Sequence, residues 1–570
     1  MQRLNFWREQ ILKRIQQNSI VDIIVEDECV CARIYNQEQE EVIEPFIYQS
    51  IQFDYDEHGY ERINNSGSAQ RIVRFSPSKT GEYRVDLYNK KHEILSSRFF
   101  ISIVSNKQEK LVIKNGEGYF SNGTYFLPYG VNMAFPEAYL DSNGKEFGTR
   151  ESVSFLGLKQ YEKWIRLCAK NGINLIRIWC GSTYFSPDTE ELGVLDYAQF
   201  SKLDKIFEMA NRYKVRLKLT IEKFRYFVSD RNDRGACEGT HGNIFNKYVQ
   251  HQGETISDKE WLKQEKYRKI WLAKLKEYKL RYSCNPALFA IEFWNEMNCY
   301  GYRDMYTIND WNGYMVERAR EMFPNVVLLN SLGSLDSPWA LDCYNSFCFE
   351  KFDWLQFHCY FDQGAYYKQL TQNPIEAIKK ATTLLKEKSK KSEKKLFLAE
   401  TGAVNDCHSG VFRYYLSDDK GMILVDTVYT PLFLGCLGPG NIWHWDNRYI
   451  SAKNLHKYFK PLAQAIQNVD FKQEDFISLD LSTEQFYCFV LKGKKQYIGF
   501  IRNKGHNWQN ELRDNKKILK TSGQIDFSNI GANRLATIKI WEEERGSFVL
   551  KDNRLCISES KYGMLIKGNL

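Results

Sequence analysis

Between residues 20 and 105 the chain alternates apolar and polar positions in short runs, as in IVDIIV at 20–25, IVRF at 72–75 and YRVDL at 83–87. A period of two marks half-buried strands, and several such runs close together predict a small β-sandwich. In IVRFSPSKTGEYRVDL, Pro77 and Gly81 fall between two alternating runs, where turn chemistry belongs. From about residue 118 to 465 the texture changes. Apolar runs at 126–131, 175–179, 216–221, 288–294, 326–330, 354–358, 396–400 and 441–445 alternate with helical periods. Tyr161, Trp164, Ile165 and Cys168 repeat at i, i+3, i+4, i+7 ahead of Gly172, and Leu203, Ile206, Phe207 and Ala210 repeat the spacing before the third run. Strand–helix alternation predicts βα units on a parallel sheet, and eight units are the number that closes a (β/α)8 barrel. The last hundred residues return to short alternation, clearest in FYCFVLKGKKQYIGFIRN around Gly493, with LATIKIW and GSFVL behind it. The expected organisation is α/β: an N-terminal β-sandwich over 1–110, a barrel over 111–468 and a C-terminal β-sandwich over 469–570.

A chain of 570 residues exceeds what one hydrophobic core supports, in keeping with several domains. Its 43% hydrophobic and 26% charged residues exclude a disordered or fibrous chain. The 15% aromatic share suits β-rich packing and equally suits clefts where ring faces stack on sugars. The balance of 79 basic minus 71 acidic residues, +8, points to no particular partner. The lysine run Lys386, Lys388, Lys390, Lys391, Lys394 and Lys395 follows a helical pattern and reads as a solvated helix end, so no nucleic-acid partner is expected. The N-terminal MQRLNFWREQILKRIQQ lacks the continuous apolar core of an export signal, and no run is long and apolar enough to span a membrane. Of fourteen cysteines, Cys168, Cys180, Cys348, Cys359 and Cys488 sit inside apolar patterns, as reduced thiols do, so a cytoplasmic protein is expected. No CxxC pair or zinc spacing occurs, Cys29 and Cys31 are expected on one strand face, and no metal or other cofactor is expected.

In a barrel of this kind the active site lies at the C-terminal strand ends. The polar residues there are few: Arg177 on the second run, Asn295 and Glu296 after the fourth, His358 and Tyr360 at the sixth, Glu400 at the seventh, and Trp443, His444 and Trp445 at the eighth. A carboxylate at one strand end is as often a helix cap or ion-pair partner as a catalyst. Two, on runs four and seven, favour catalysis, because glycoside cleavage needs two carboxyl groups across the scissile bond.

The segments NPALFAIEFWNEMN, FHCYF, FLAETG and NIWHWDN resemble the retaining β-glycosidases of glycoside hydrolase clan A, most nearly family 5, which use a TIM barrel. The N-terminal region is similar to the immunoglobulin-like sandwich that precedes some bacterial members. The resemblance covers about three fifths of the chain. It implies Glu296 as acid/base and Glu400 as nucleophile, with Asn295 on the sugar 2-hydroxyl. The resemblance further implies that Arg177 and Tyr360 bond the nucleophile, that His358 lines the site, and that Trp443 or Trp445 forms a stacking floor. It departs at the third strand, where TIEKFR offers Glu222 in place of a histidine; Glu222 reads as a substrate-binding carboxylate or an ion-pair partner of Lys223 or Arg225. Arg177 is expected to depress the pKa of Glu400 while burial raises that of Glu296. Net retention is expected, with carboxyl groups about 5–5.5 Å apart. The implied substrate is a β-linked oligosaccharide, with exo action on β-mannoside, β-glucoside or β-xyloside ahead of endo action. A non-catalytic sugar-binding barrel and a metal-dependent hydrolase are the alternatives. The polar stretch at 225–243 is a candidate loop over the site, Asp406 and His408 are candidate sugar contacts or turn residues, and oligomeric state stays open.

Overall fold

Five apolar runs form parallel strands side by side in chain order, Gly130–Asn132, Leu175–Trp179, Arg216–Glu222, Leu288–Trp294 and Val327–Leu329. The computed structural model describes residues 13–570 apart from 38–39, 66, 137–155, 183, 190, 223–249, 252–253, 257, 300–303, 409 and 447. The stretch at 225–243, with Lys223 and Arg225, therefore lies outside the described residues. Leu355–Asp362 and Leu396–Val404 make a further parallel pair. Single parallel bridges join Ser334 to His358, Thr401 to Ile442, and Ile442 to Val131. These strands are buried along their length, as expected where both faces are covered.

Two expected strands differ. Residues 126–131 divide at Pro128, which has no N–H to give a ladder: Tyr125–Phe126 joins a small antiparallel sheet with Val112–Lys114 and Glu117–Tyr119, and Gly130–Asn132 joins the parallel set. Residues 441–445 form no strand. Ile442 alone makes the bridges, because the chain turns away once the Trp443 N–H has bonded the Thr401 carbonyl at 2.9 Å.

The helices behave as their spacing dictates. Gly157–Lys170 buries Tyr161, Trp164, Ile165 and Cys168, and Phe200–Tyr213 buries Leu203, Ile206, Phe207 and Ala210. Gly172 ends the first helix at φ +93°, where an added Cβ would lie 2.2 Å from the Ala463 Cβ. Among the described residues no helix is long and apolar enough to cross a membrane.

Two flanking regions are built from antiparallel sheets. At the N-terminal end a five-stranded and a three-stranded sheet share a core of Val21, Ile23, Ile34, Val73, Phe75, Val85 and Phe100. The Pro77–Gly81 turn carries the chain from one sheet to the other, from Gln70–Phe75 to Gly81–Tyr88. Cys29 lies before the strand Cys31–Tyr35, so the two thiols do not share a strand face. At the C-terminal end Phe486–Lys492 and Gln496–Asn503 pair as a hairpin within a five-stranded sheet, over a core with Phe527, Leu555 and Ile566.

Candidate active site

Arg177 organises the strand ends. Fully buried on the second parallel strand, its guanidinium donates to both oxygens of Glu292 (2.8 and 2.7 Å), to Thr220 Oγ1 (3.0 Å), to Asn132 Oδ1 (3.1 Å), to Asn295 Oδ1 (2.7 Å) and to Glu400. Only a planar, five-donor fork can serve acceptors from this many strands. Lys218 adds a second buried cation 2.9 Å from Glu292, and burial brings its own pKa down to about 8. Burial works against the charge of Glu292, yet Arg177 and Lys218 hold its carboxyl well below the ordinary range.

Glu296 follows the fourth strand with its backbone in the left-handed region, φ 51°. That conformation is uncommon for a residue with a side chain and is held here from both sides. The Glu296 N–H donates to Ser331 Oγ at 3.0 Å, and its carbonyl accepts from the Cys299 N–H at 2.8 Å. Glu400 lies within the seventh strand. Gly402, two residues on, has φ +151°, and a Cβ there would meet the Tyr415 hydroxyl at 2.8 Å, which accounts for the glycine in FLAETG.

The structure brings the two carboxylates together. One oxygen of Glu296, one of Glu400 and a ring nitrogen of His358 all lie within 4.8 Å of one another. His358 Nδ1 is 2.7 Å from Glu296 and 3.4 Å from Glu400, and Tyr360 donates to Glu400 at 2.8 Å. A register irregularity at Phe357/His358 sets His358 opposite Glu400, the use to which irregular pairing is put beside functional groups.

Burial and the negative charge of Glu400 raise the Glu296 carboxyl well above its ordinary value. Glu400 departs from expectation: burial lifts it as well, against the charge and hydrogen bonds of Arg177 and the hydroxyl of Tyr360. The order of the two survives, because Glu296 lacks those donors. With Glu296 protonated, Arg177 and Lys218 balance Glu292 and Glu400, so the buried cluster is neutral in that state. Burial, then Arg177, drives the pKa of His358 well down and keeps the imidazole neutral.

The other expected residues divide. Arg177 can only donate, so Asn295 must turn its oxygen towards it; its buried Nδ2 then has no partner among the described residues. Trp443 is half-buried, 4.7 Å from the Trp179 ring, and Trp445 is buried against Phe135 and Trp164. Trp443 is thus the more exposed of the two rings, and Trp445 packs inside. Glu222 is fully buried and paired with Lys274, which also lies 3.3 Å from Asp188, so among the described residues it is an ion-pair partner of Lys274; the expected partners Lys223 and Arg225 lie outside those residues. His408 lies 2.7 Å from Asp362 in the short turn Asp406–His408, and Asp406 is exposed.

Sequence reasoning missed Asn132, Lys218, Thr220, Glu292 and Ser331. The visible signal was a charge inside an apolar run, Glu292 in LFAIEFW and Lys218 in RLKLTIE. A buried charge needs a partner, and these two are each other's.

No protein-family profile and no curated protein matches the sequence. Among solved structures, a protein of Bacteroides vulgatus ATCC 8482 provisionally named a glycoside hydrolase aligns with 98% of this chain and 100% of its own, at TM-score 0.55 and 12% identity. That likeness is one of fold. An exo-β-1,4-mannosidase from Opitutaceae bacterium strain TAV5 covers 62% of each chain at TM-score 0.42 and 13% identity. The endo-β-1,4-mannanase of Thermotoga petrophila covers 79% of this chain and 92% of its own at TM-score 0.41 and 14% identity.

Proposed function

We propose that the protein is a retaining glycoside hydrolase of the clan A type, with Glu296 as acid/base and Glu400 as nucleophile at the C-terminal ends of a (β/α)8 barrel. The supporting observation is the pair itself: two carboxylates whose oxygens lie within 4.8 Å, one hydrogen-bonded to a guanidinium and a phenol and the other without those donors. A separation of this order suits direct attack; an inverting pair stands about 6.5–9.5 Å apart to admit water. The parallel bridges through Ile442 and Ser334 support reading the strands as one closed barrel. The domain bounds 1–110, 111–468 and 469–570 belong to the same proposal.

In the first step the Glu296 proton passes to the departing glycosidic oxygen while a Glu400 oxygen bonds the anomeric carbon. Arg177 and Tyr360 each donate to a different oxygen of Glu400 and so fix the plane of its carboxylate, and the amide of Asn295 donates to the sugar 2-hydroxyl. In the second step Glu296, now ionised, takes a proton from water as that water's oxygen displaces Glu400. His358, neutral and in reach of both carboxylates, holds them in register through the exchange.

A panel of aryl β-mannoside, β-glucoside and β-xyloside tests the reading, with anomeric configuration followed by NMR. Retained configuration is expected. Glu296→Ala should lower the rate by ~10²–10⁴-fold, and Glu400→Ala should abolish turnover. Release of single sugars from oligosaccharides supports exo action, and mid-chain fragments from a polymer count against it. The Glu296, His358 and Glu400 atoms also form a constellation that a cation would fit, although Arg177 bonded to Glu400 opposes a second positive charge. Loss of activity on chelation would replace the two-carboxylate mechanism with a metal-dependent one.

A further inference from the structure

A cleft of about 460 Å³ opens beside the carboxylate pair, and Glu296 lines it but Glu400 does not. That volume lies in the range of about 300–1,000 Å³ usual for small-ligand sites. The leaving oxygen takes its proton from Glu296, so whatever departs must occupy the side of the pair that Glu296 faces. We propose that this cleft is a leaving-group subsite built for a second sugar ring, with Trp339 and Tyr366 as its aromatic faces and Asp336 as its hydroxyl-binding carboxylate. The inference rests on the glycoside hydrolase reading above and adds what the enzyme selects on the departing side.

The walls divide into groups buried in structural bonds and groups exposed to the cleft. Asp362 is committed to structure: it accepts from the backbone N–H groups of Gly364 (2.8 Å), Cys407 (2.8 Å) and His408 (3.0 Å), and from the His408 ring. Those bonds pin Cys407 and His408 at positive φ, 56° and 55°. Asp336 keeps 31% of its side chain exposed, with His408 Nδ1 loosely placed at 3.8 Å. Trp339, 43% exposed, stands in the first turn of the helix Pro338–Ser346, whose N-cap is the Ser337 hydroxyl. Tyr366 is 74% exposed and is tied to Asp336 by its backbone N–H, 3.1 Å from the Asp336 carbonyl. The floor needs glycine: a Cβ on Gly333 would meet Cys299 Sγ at 2.2 Å, and one on Gly364 would meet Cys407 Sγ at 2.4 Å. A pyranose presents an apolar face of CH groups and a rim of hydroxyl donors, which matches two rings and a carboxylate on one cleft. An aryl leaving group has no hydroxyl for Asp336.

The test compares two substrates sharing one glycone: the aryl glycoside that is cleaved best, and mannobiose, cellobiose or xylobiose to match it. Trp339→Ala, and Asp336→Asn assayed on the acid side of the alkaline limb, should each lower the disaccharide-to-aryl ratio of kcat/KM by ~10-fold or more. A second reading is independent of turnover. Millimolar free monosaccharide should slow alkylation of Cys299 and Cys407 by iodoacetamide, mapped by mass spectrometry, and leave Cys31 and Cys556 unaffected. If the variants lower both substrates equally and the thiols are unprotected, the subsite is refuted while the hydrolase reading stands. If no glycoside is cleaved, both fall.

Discussion

Glu292 has its carboxylate bonded to Arg177 and Ser331, with Lys218 2.9 Å away, and is fully buried beside the proposed catalytic pair. Its charge works against ionisation of both Glu296 and Glu400. Glu292→Gln removes that charge and should move both limbs of the pH–activity profile to lower pH: the acid limb because Glu400 ionises more easily, the alkaline limb because Glu296 loses its proton earlier. An unmoved profile would show that the charge is screened from the pair. Stability follows the other half of the linkage. The folded-state pKa of Glu292 is depressed, so its contribution is present above the unfolded value of about 4.3 and is lost as pH falls towards the folded one. The variant should therefore lose less stability than the parent as pH falls below that value, measured by urea unfolding. His358, Tyr360, Glu296 and Glu400 were legible in the sequence because each lies at or just past the end of an apolar run, and Arg177 because it is the one charge inside LIRIW. Asn132 and Ser331 were not, because a small polar residue at a strand end looks the same whether it meets solvent or a buried guanidinium.

At the level of elements, the helices were legible and the strand limits were not. Helical spacing records burial on one face, and Tyr161, Trp164 and Ile165 bury as their spacing requires. Strands buried on both faces carry no such period, so their ends are set by partners: the seventh runs on from Glu400 to Val404 because Leu355–Asp362 pairs with it throughout, and the eighth contracts to Ile442. That extension puts Gly402 under tertiary constraint. Gly402→Ala combines a φ that disfavours a side chain with contacts at 2.8 Å to the Tyr415 hydroxyl and 3.1 Å to His444 Nδ1. It would break the bonds that Tyr415 makes to the Ala403 N–H and to His444. A loss of about 1–3 kcal/mol is expected, with reduced turnover through displacement of Glu400. Gly59→Ala is the control: its φ is +79°, nothing lies within 4 Å of the added Cβ, and activity should be unchanged. Equal behaviour of the two would show that the Tyr415 contact does not position Glu400, the proposed nucleophile.

Across the whole molecule, the flanking sheets are joined to the parallel-sheet region by buried charges. Arg74 on the N-terminal side bonds Asp22 and, at 2.9 Å, Asp204 on the helix Phe200–Tyr213. On the C-terminal side Arg502, in the strand Gln496–Asn503, bonds Asp426 on the helix Met422–Phe433 at 2.6 Å. Burial pushes the Asp426 carboxyl above its ordinary value in spite of Arg502. A buried ion pair can orient two elements without adding net stability, and two variants separate these roles. Asp426→Ala leaves the buried guanidinium without its carboxylate, facing His506, two carbonyl oxygens and the Trp541 ring at 4.8 Å, and should cost about 3–5 kcal/mol in chemical denaturation. Asp426→Leu combined with Arg502→Met removes both desolvation costs and should recover most of that loss. If the double variant stays as unstable as the single one, the pair supplies attraction that apolar packing cannot replace. Catalysis below the transition temperature should be unaffected in both, since neither residue lies among the groups that meet at Glu296 and Glu400.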